Sequence, residues 1–236
     1  MRYCDIIVPM TTLKKLNVSR IAELLDKPFS MVNAARVGDI TVSVYICQGM
    51  LEWHRHLDND ELFWVHKGTI LLESEGGEVR LRPGELACVP KGVGHRSSSE
   101  LRASVLLLRC GFVPERKNGR RRLYAVAGEA RLKRVSLHGV IRTLTLPFRF
   151  QTVARVEDSV VQATWGEGTW SVEIPAPNDL LLFVLSGTST VRTSQSMLHL
   201  HSGDFTVVPR GTVYQLSTAK GTALVRVTRE NVQQGL

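Results

Sequence analysis

Aromatic residues fill only 6% of this 236-residue chain, and cysteines number four. No apolar run nears the roughly 20 residues that a membrane-spanning helix needs, which excludes a helical membrane protein. Cys4, Cys47, Cys88 and Cys110 form no CxxC pair, which argues against a disulfide framework and a thiolate zinc site and fits a reducing compartment. The N-terminal stretch lacks an apolar segment leading to a small-residue cleavage site, so the expected location is the cytoplasm. Acidic residues are in deficit too: Asp and Glu number 22 against 30 Lys and Arg, a formal net charge of +8. Much of the excess lies in one patch, Arg116, Lys117, Arg120, Arg121 and Arg122, which reads as a solvated linker rather than a nucleic-acid surface.

The 43% hydrophobic content suffices for one large core or two small ones, and an internal repeat favours two. At an offset of 119 residues, Leu25, Pro28 and Phe29 fall on Leu144, Pro147 and Phe148. Gly49, Gly68 and Gly84 fall on Gly168, Gly187 and Gly203, and Pro90 and Gly92 on Pro209 and Gly211. The chain therefore reads as a tandem duplication: 1–115, a basic linker 116–122, and 123–236. Within the first unit, residues 40–48, 61–66, 69–73, 78–82 and 86–90 are short, apolar or β-branched, and separated by Gly or Pro. In the second, 180–185, 189–192, 197–201 and 205–209 repeat the pattern. Only 18–26 reads as a helix. The expected class is all-β, a small barrel or sandwich per unit, with too little helix for a complete DNA-reading unit.

Residues 49–68 hold the densest chemistry, GMLEWHRHLDNDELFWVHKG. On an extended strand His54 and His56 share a face, and a polar turn brings Glu61 back on the next strand. His95 follows a Pro90-x-Gly92 turn on a later strand. Three imidazoles and one carboxylate can converge on one ion, and this donor set suits Mn, Fe, Ni, Cu or Zn better than Ca or Mg. By the same alternation Met50 and Glu52 lie on the His54 face, and Phe63 and Val65 on the Glu61 face. They are the candidate pocket, with Glu52 the one nearby base. Trp53, Trp64 and Arg55 should point outward, and His66 away from the site.

Gly49, His54, His56, Glu61 and Gly68 resemble the first cupin motif, with the spacer before His54 one residue short. Gly84, Pro90, Gly92 and His95 resemble the second, with Ser99 where Asn is frequent. The first half resembles small mannose-6-phosphate-isomerase-like cupins, and the whole chain a bicupin. The resemblance implies two tandem jelly-roll barrels (double-stranded β-helices), with one divalent transition metal (Mn, Fe, Ni or Zn) at His54, His56, Glu61 and His95. Carried forward by 119, the ligands become Glu173, Pro175, Leu180 and Tyr214, so the second barrel should hold no metal. His199 and His201 fall on Arg80 and Arg82 instead and read as surface residues; His138 belongs to no cluster. The resemblance implies a metal-dependent dioxygenase or isomerase acting on a small polar metabolite. The competing reading is a non-catalytic binding or sensing protein with a structural metal. Pairing of exposed sheet edges would make it a homodimer.

Overall fold

A computed structural model describes residues 13–110, 131–172 and 175–230; Cys4, the basic patch and both expected linker boundaries lie outside them. The fold is all-β, as expected, and the described residues form two antiparallel eight-stranded sheets and two short helices. The first sheet contains β2 (Met31–Val37), β3 (Ile40–Met50), β4 (Glu61–Lys67), β5 (Ile70–Ser74), β6 (Gly77–Leu81), β7 (Glu85–Val89), β8 (His95–Cys110) and β9 (Val135–Ser136). The second contains β1 (Leu16–Asn17), β10 (Gln151–Val156), β11 (Ser159–Val172), β12 (Leu180–Ser186), β13 (Thr188–Arg192), β14 (Met197–His201), β15 (Asp204–Val208) and β16 (Tyr214–Arg229). Helices α1 (Val18–Glu23) and α2 (Leu137–Arg142) occupy matching places in the repeat. Helix α1 is shorter than the expected 18–26. Helix α2 was not foreseen: Gly139 sits inside it, and its start depends on the Ser136 hydroxyl accepting from Gly139 N.

Side-chain alternation on strands builds three cores. Phe63 and Val65 point into the first barrel with Tyr45, Ile70 and Leu107. Leu180, Leu182 and Val184 point into the second with Val191, Leu200 and Leu224. The opposite faces of the same strands form a shared core, where Trp64 meets Phe183 with ring centroids 4.5 Å apart. Burial on both faces explains why ELFWV and LLLFV are continuous apolar runs rather than alternating ones.

The two halves also exchange short strands. β1 pairs with β15, Leu16 opposite Phe205, and β9 pairs with β7, Val135 opposite Leu86. Reciprocal carboxylates fasten the halves elsewhere. Asp60 accepts from Lys91 N of its own half (2.9 Å) and Glu157 N of the other (3.2 Å). Asp179 accepts from Arg210 N (2.8 Å) and Gly38 N (3.1 Å), the same device inverted. The contacts repeat in both directions, so the halves are related by an approximate internal two-fold.

Candidate metal centre

Strand β3 ends at Met50, so His54 and His56 lie not within a regular strand but on an extended segment across 51–60. The reason is local. His54 makes one isolated bridge with His95, N to O distances 3.0 and 2.8 Å, and Gly92 N donates to His56 O at 2.7 Å. An extended chain alternates its side chains without a full ladder, so both imidazoles still face one side. Glu61 opens β4 and His95 opens β8, which places both at one end of the barrel.

The ligating atoms of His54, His56, Glu61 and His95 all lie within 4.8 Å of one another. Glu61 and His95 are 3% and 1% exposed, whereas His54 and His56 are half-buried, so the site is deep on one side and reachable on the other. Glu61 Oε2 lies 2.9 Å from His95 Nε2, and Oε1 lies 3.2 Å from His56 Nε2 and 3.6 Å from Arg109 Nη1. Burial alone would push the Glu61 carboxyl up, but the hydrogen bond from His95 and the charges of His56, His95 and Arg109 bring it below its ordinary value. Burial lowers the pKa of His56, partly opposed by Glu61.

Backbone carbonyls hold the rings. His95 Nδ1 lies 3.0 Å from Val93 O, and His54 Nδ1 lies 2.9 Å from Glu52 O. Both nitrogens of His95 therefore face oxygen acceptors, and a neutral imidazole carries only one proton. A metal ion between Nε2 and Glu61 would satisfy both groups while Nδ1–H stays on Val93 O. A Nδ1–H committed to a carbonyl leaves Nε2 free to ligate, the arrangement that metal-bound histidines require. Three nitrogens and a carboxylate oxygen fit a divalent transition metal.

Around this group, Phe63 stands edge-on to His95, centroids 5.9 Å apart. Val65 lies in the same barrel interior, and Met50 is 60% exposed. Glu52 is exposed and reaches the site through its carbonyl. Trp53 is exposed under Arg96, while Trp64 packs against the other barrel. Arg55 points outward and pairs with Glu75 at 2.7 Å; Glu75 in turn accepts from Gly94 N at 3.0 Å, beside His95. Cys47 is no thiolate donor, since burial pushes its thiol up to about 11.

Two neighbours were not foreseen. Arg109 reaches Glu61 because the β4–β8 register sets the two opposite each other, a pairing that spacing within one strand does not reveal. Tyr45 donates to Ser97 Oγ at 3.3 Å and meets Phe63 edge-on, and burial keeps its phenol well above its usual value. Ser99 bonds Thr69 O and Leu101 O, both at 2.6 Å, where β8 bends.

Among the described residues the second half brings no equivalent group together. Leu180 and Tyr214 are buried where Glu61 and His95 stand, Pro175 is exposed, and Glu173 lies outside the described residues. His199, His201 and His138 are exposed, and His66 turns away to Ser19 Oγ at 2.9 Å.

A family model described as Cupin domain matches residues 44–108, the stretch that carries all four candidate ligands. YdbB of Bacillus subtilis (strain 168), an uncharacterized protein, is 31% identical over 90 residues, 38% of this chain and 80% of that protein. This chain belongs to the cupin superfamily. Solved structures agree on the fold of this cupin. A Cupin 2 conserved barrel domain protein from Leptotrichia buccalis superposes with a TM-score of 0.71 at 11% identity, covering 94% of this chain and 99% of that one. Salicylate 1,2-dioxygenase from Pseudaminobacter salicylatoxidans superposes with a TM-score of 0.70 at 12% identity, covering 97% and 88%. The resemblance to mannose-6-phosphate-isomerase-like proteins finds no counterpart among these.

Proposed function

We propose that this cupin is a bicupin whose first barrel holds one divalent transition ion and works as a dioxygenase on a small polar metabolite. The observation that carries the proposal is the His95–Glu61 contact: two acceptor-facing groups at 2.9 Å, buried, with two further imidazoles in reach. His54, His56, Glu61 and His95 would hold the ion. Bound there, it would supply a Lewis-acid and redox-capable centre with positions open to substrate and O₂. The chain's own groups do the rest. Arg109 adds positive charge beside Glu61 and favours an anionic substrate, Phe63 and Tyr45 wall the inner side, and the exposed faces of His54 and His56 leave the entrance. The salicylate dioxygenase, similar in fold, lends support to the oxygenase reading over an isomerase.

The test is oxygen uptake by metal-loaded protein across a panel of small hydroxy and keto acids, with labelled O₂. Substrate-dependent uptake with both labelled atoms in product, absent from His54→Ala/His95→Ala, is the expected result. Conversion of substrate without O₂ consumption would mean an isomerase. A non-catalytic role with a structural metal is favoured by Glu52, the base candidate read from the sequence, which is exposed and meets His54 through its carbonyl; metal binding with no turnover across the panel would support it. We also read the protein as a cytoplasmic homodimer. The free thiols of Cys47 and Cys88 support the compartment, and the sheet edges at β2 and β10 the pairing.

A further inference from the structure

The second barrel lost the metal ligands but did not become a plain apolar core. One row of positions crosses its sheet from the buried Thr206 through Leu182, Arg226 and Gln162 to the exposed Thr152, each paired with the next. The matching row of the first barrel is Ala87, Phe63, Leu107, Ser43 and Asn33. Duplication therefore placed a guanidinium where the first barrel has Leu107, and a hydroxyl where it has Ala87.

Arg226 is oriented by its neighbours through Nε and its flat face. Its Nε donates to Gln162 Oε1 at 2.7 Å, and Gln162 Nε2 donates to Thr152 Oγ1 at 3.1 Å. The guanidinium carbon sits 3.8 Å over the Phe150 ring. Among the described residues no carboxylate reaches it, and burial pulls its pKa down, a cost that an arriving anion would offset. Thr206, 0% exposed on the same face, has a hydroxyl without any hydrogen-bond partner. An unpaired buried hydroxyl costs roughly what a lost hydrogen bond does, so its retention points to a missing acceptor or donor. Tyr214, in the place of His95, is 4% exposed and keeps its proton because burial raises its pKa. Trp170 stands between Tyr214 and Phe150, with centroids 6.5 and 5.5 Å away, and gives the cluster a flat apolar wall.

We propose that the interior of the second barrel is a metal-independent binding site for a small carboxylate with a flat apolar body. The two terminal nitrogens of Arg226 form the fork that a carboxylate matches, with Phe150 and Trp170 against the body. The free hydroxyl of Thr206 and the Tyr214 phenol complete the polar contacts. This proposal is independent of the chemistry assigned to the first barrel.

Benzoate is the probe, titrated calorimetrically into full-length protein both metal-loaded and chelator-treated. One benzoate per chain should bind in both states, and neutral benzamide should not bind. Arg226→Leu, which copies the first barrel, should lose at least about tenfold in affinity while keeping its metal content. Thr206→Ala, also a copy of the first barrel, should weaken binding by a few-fold and decides the matter if Arg226→Leu does not fold. Benzoate affinity unchanged in these variants, no binding to the wild type, or binding that vanishes on chelation would each overturn the proposal.

Discussion

Glu61→Gln separates a metal ligand from a structural ion pair. The amide keeps the volume of the carboxylate but can donate a hydrogen to His95 Nε2, filling the 2.9 Å gap without any cation. His95 then satisfies Val93 O and the amide as a neutral ring, and Arg109, at 3.6 Å from Glu61 and itself 20% exposed, loses only a long ion pair. Metal-free protein should thus change in stability by no more than about 1–2 kcal/mol. Metal binding should fall steeply, because a neutral amide replaces the one anionic ligand. An ion present at 1,000 times its Kd stabilises by about 4 kcal/mol. For a chain of this size that corresponds to a Tm increase of roughly 8–16 °C. Differential scanning calorimetry with and without excess Mn, Fe, Ni or Zn reads both numbers. The wild type should show the increase and Glu61→Gln should not. An equal metal-induced shift in both would refute the reasoning.

Metal-free protein should also lose stability as pH falls. His56 and His66 both have pKa values lowered by burial in the folded state, so below about pH 6.5 the unfolded chain binds more protons than the native one. Their contribution is complete above that pH and declines through the window down to the folded pKa. Urea midpoints at pH 7.5 and 5 should show the drop, smaller in His66→Gln, and a rise toward acid would contradict it. Asp60→Ala removes the acceptor of Lys91 N and Glu157 N together, and should cost about 1–3 kcal/mol in urea unfolding, with Lys91 and Glu157 amides exchanging faster. Trp64→Ala opens a cavity in the core shared by the barrels at a cost of about 3–5 kcal/mol, whereas Trp53→Ala at the exposed site should cost less than about 1. Equal costs for the two would refute the placement.

Much of this fold was legible because Gly and Pro positions recur at the 119-residue offset and because period-two patterns mark strands. The donor group was legible for a related reason: His54, His56, Glu61 and His95 are close in sequence to the turns that aim them. What could not be read depends on pairing between distant strands. Arg109 stands beside Glu61, and Arg226 beside Gln162, only through the registers of β8 and β16. The extent of β8 beyond His95 was not read, because its polar opening, where the Ser99 hydroxyl bonds Thr69 O and Leu101 O, resembles a loop. The exchange of β1 and β9 was hidden too, since two-residue strands have no periodicity to detect.

The central claim, one metal held by the first barrel, is tested most directly by elemental analysis of purified wild type beside His54→Ala/His95→Ala. About one transition-metal ion per chain in the wild type, lost in the double variant, is the predicted result. Absence of metal from both, even after incubation with excess ion, would contradict it, and so would a metal that the double variant retains.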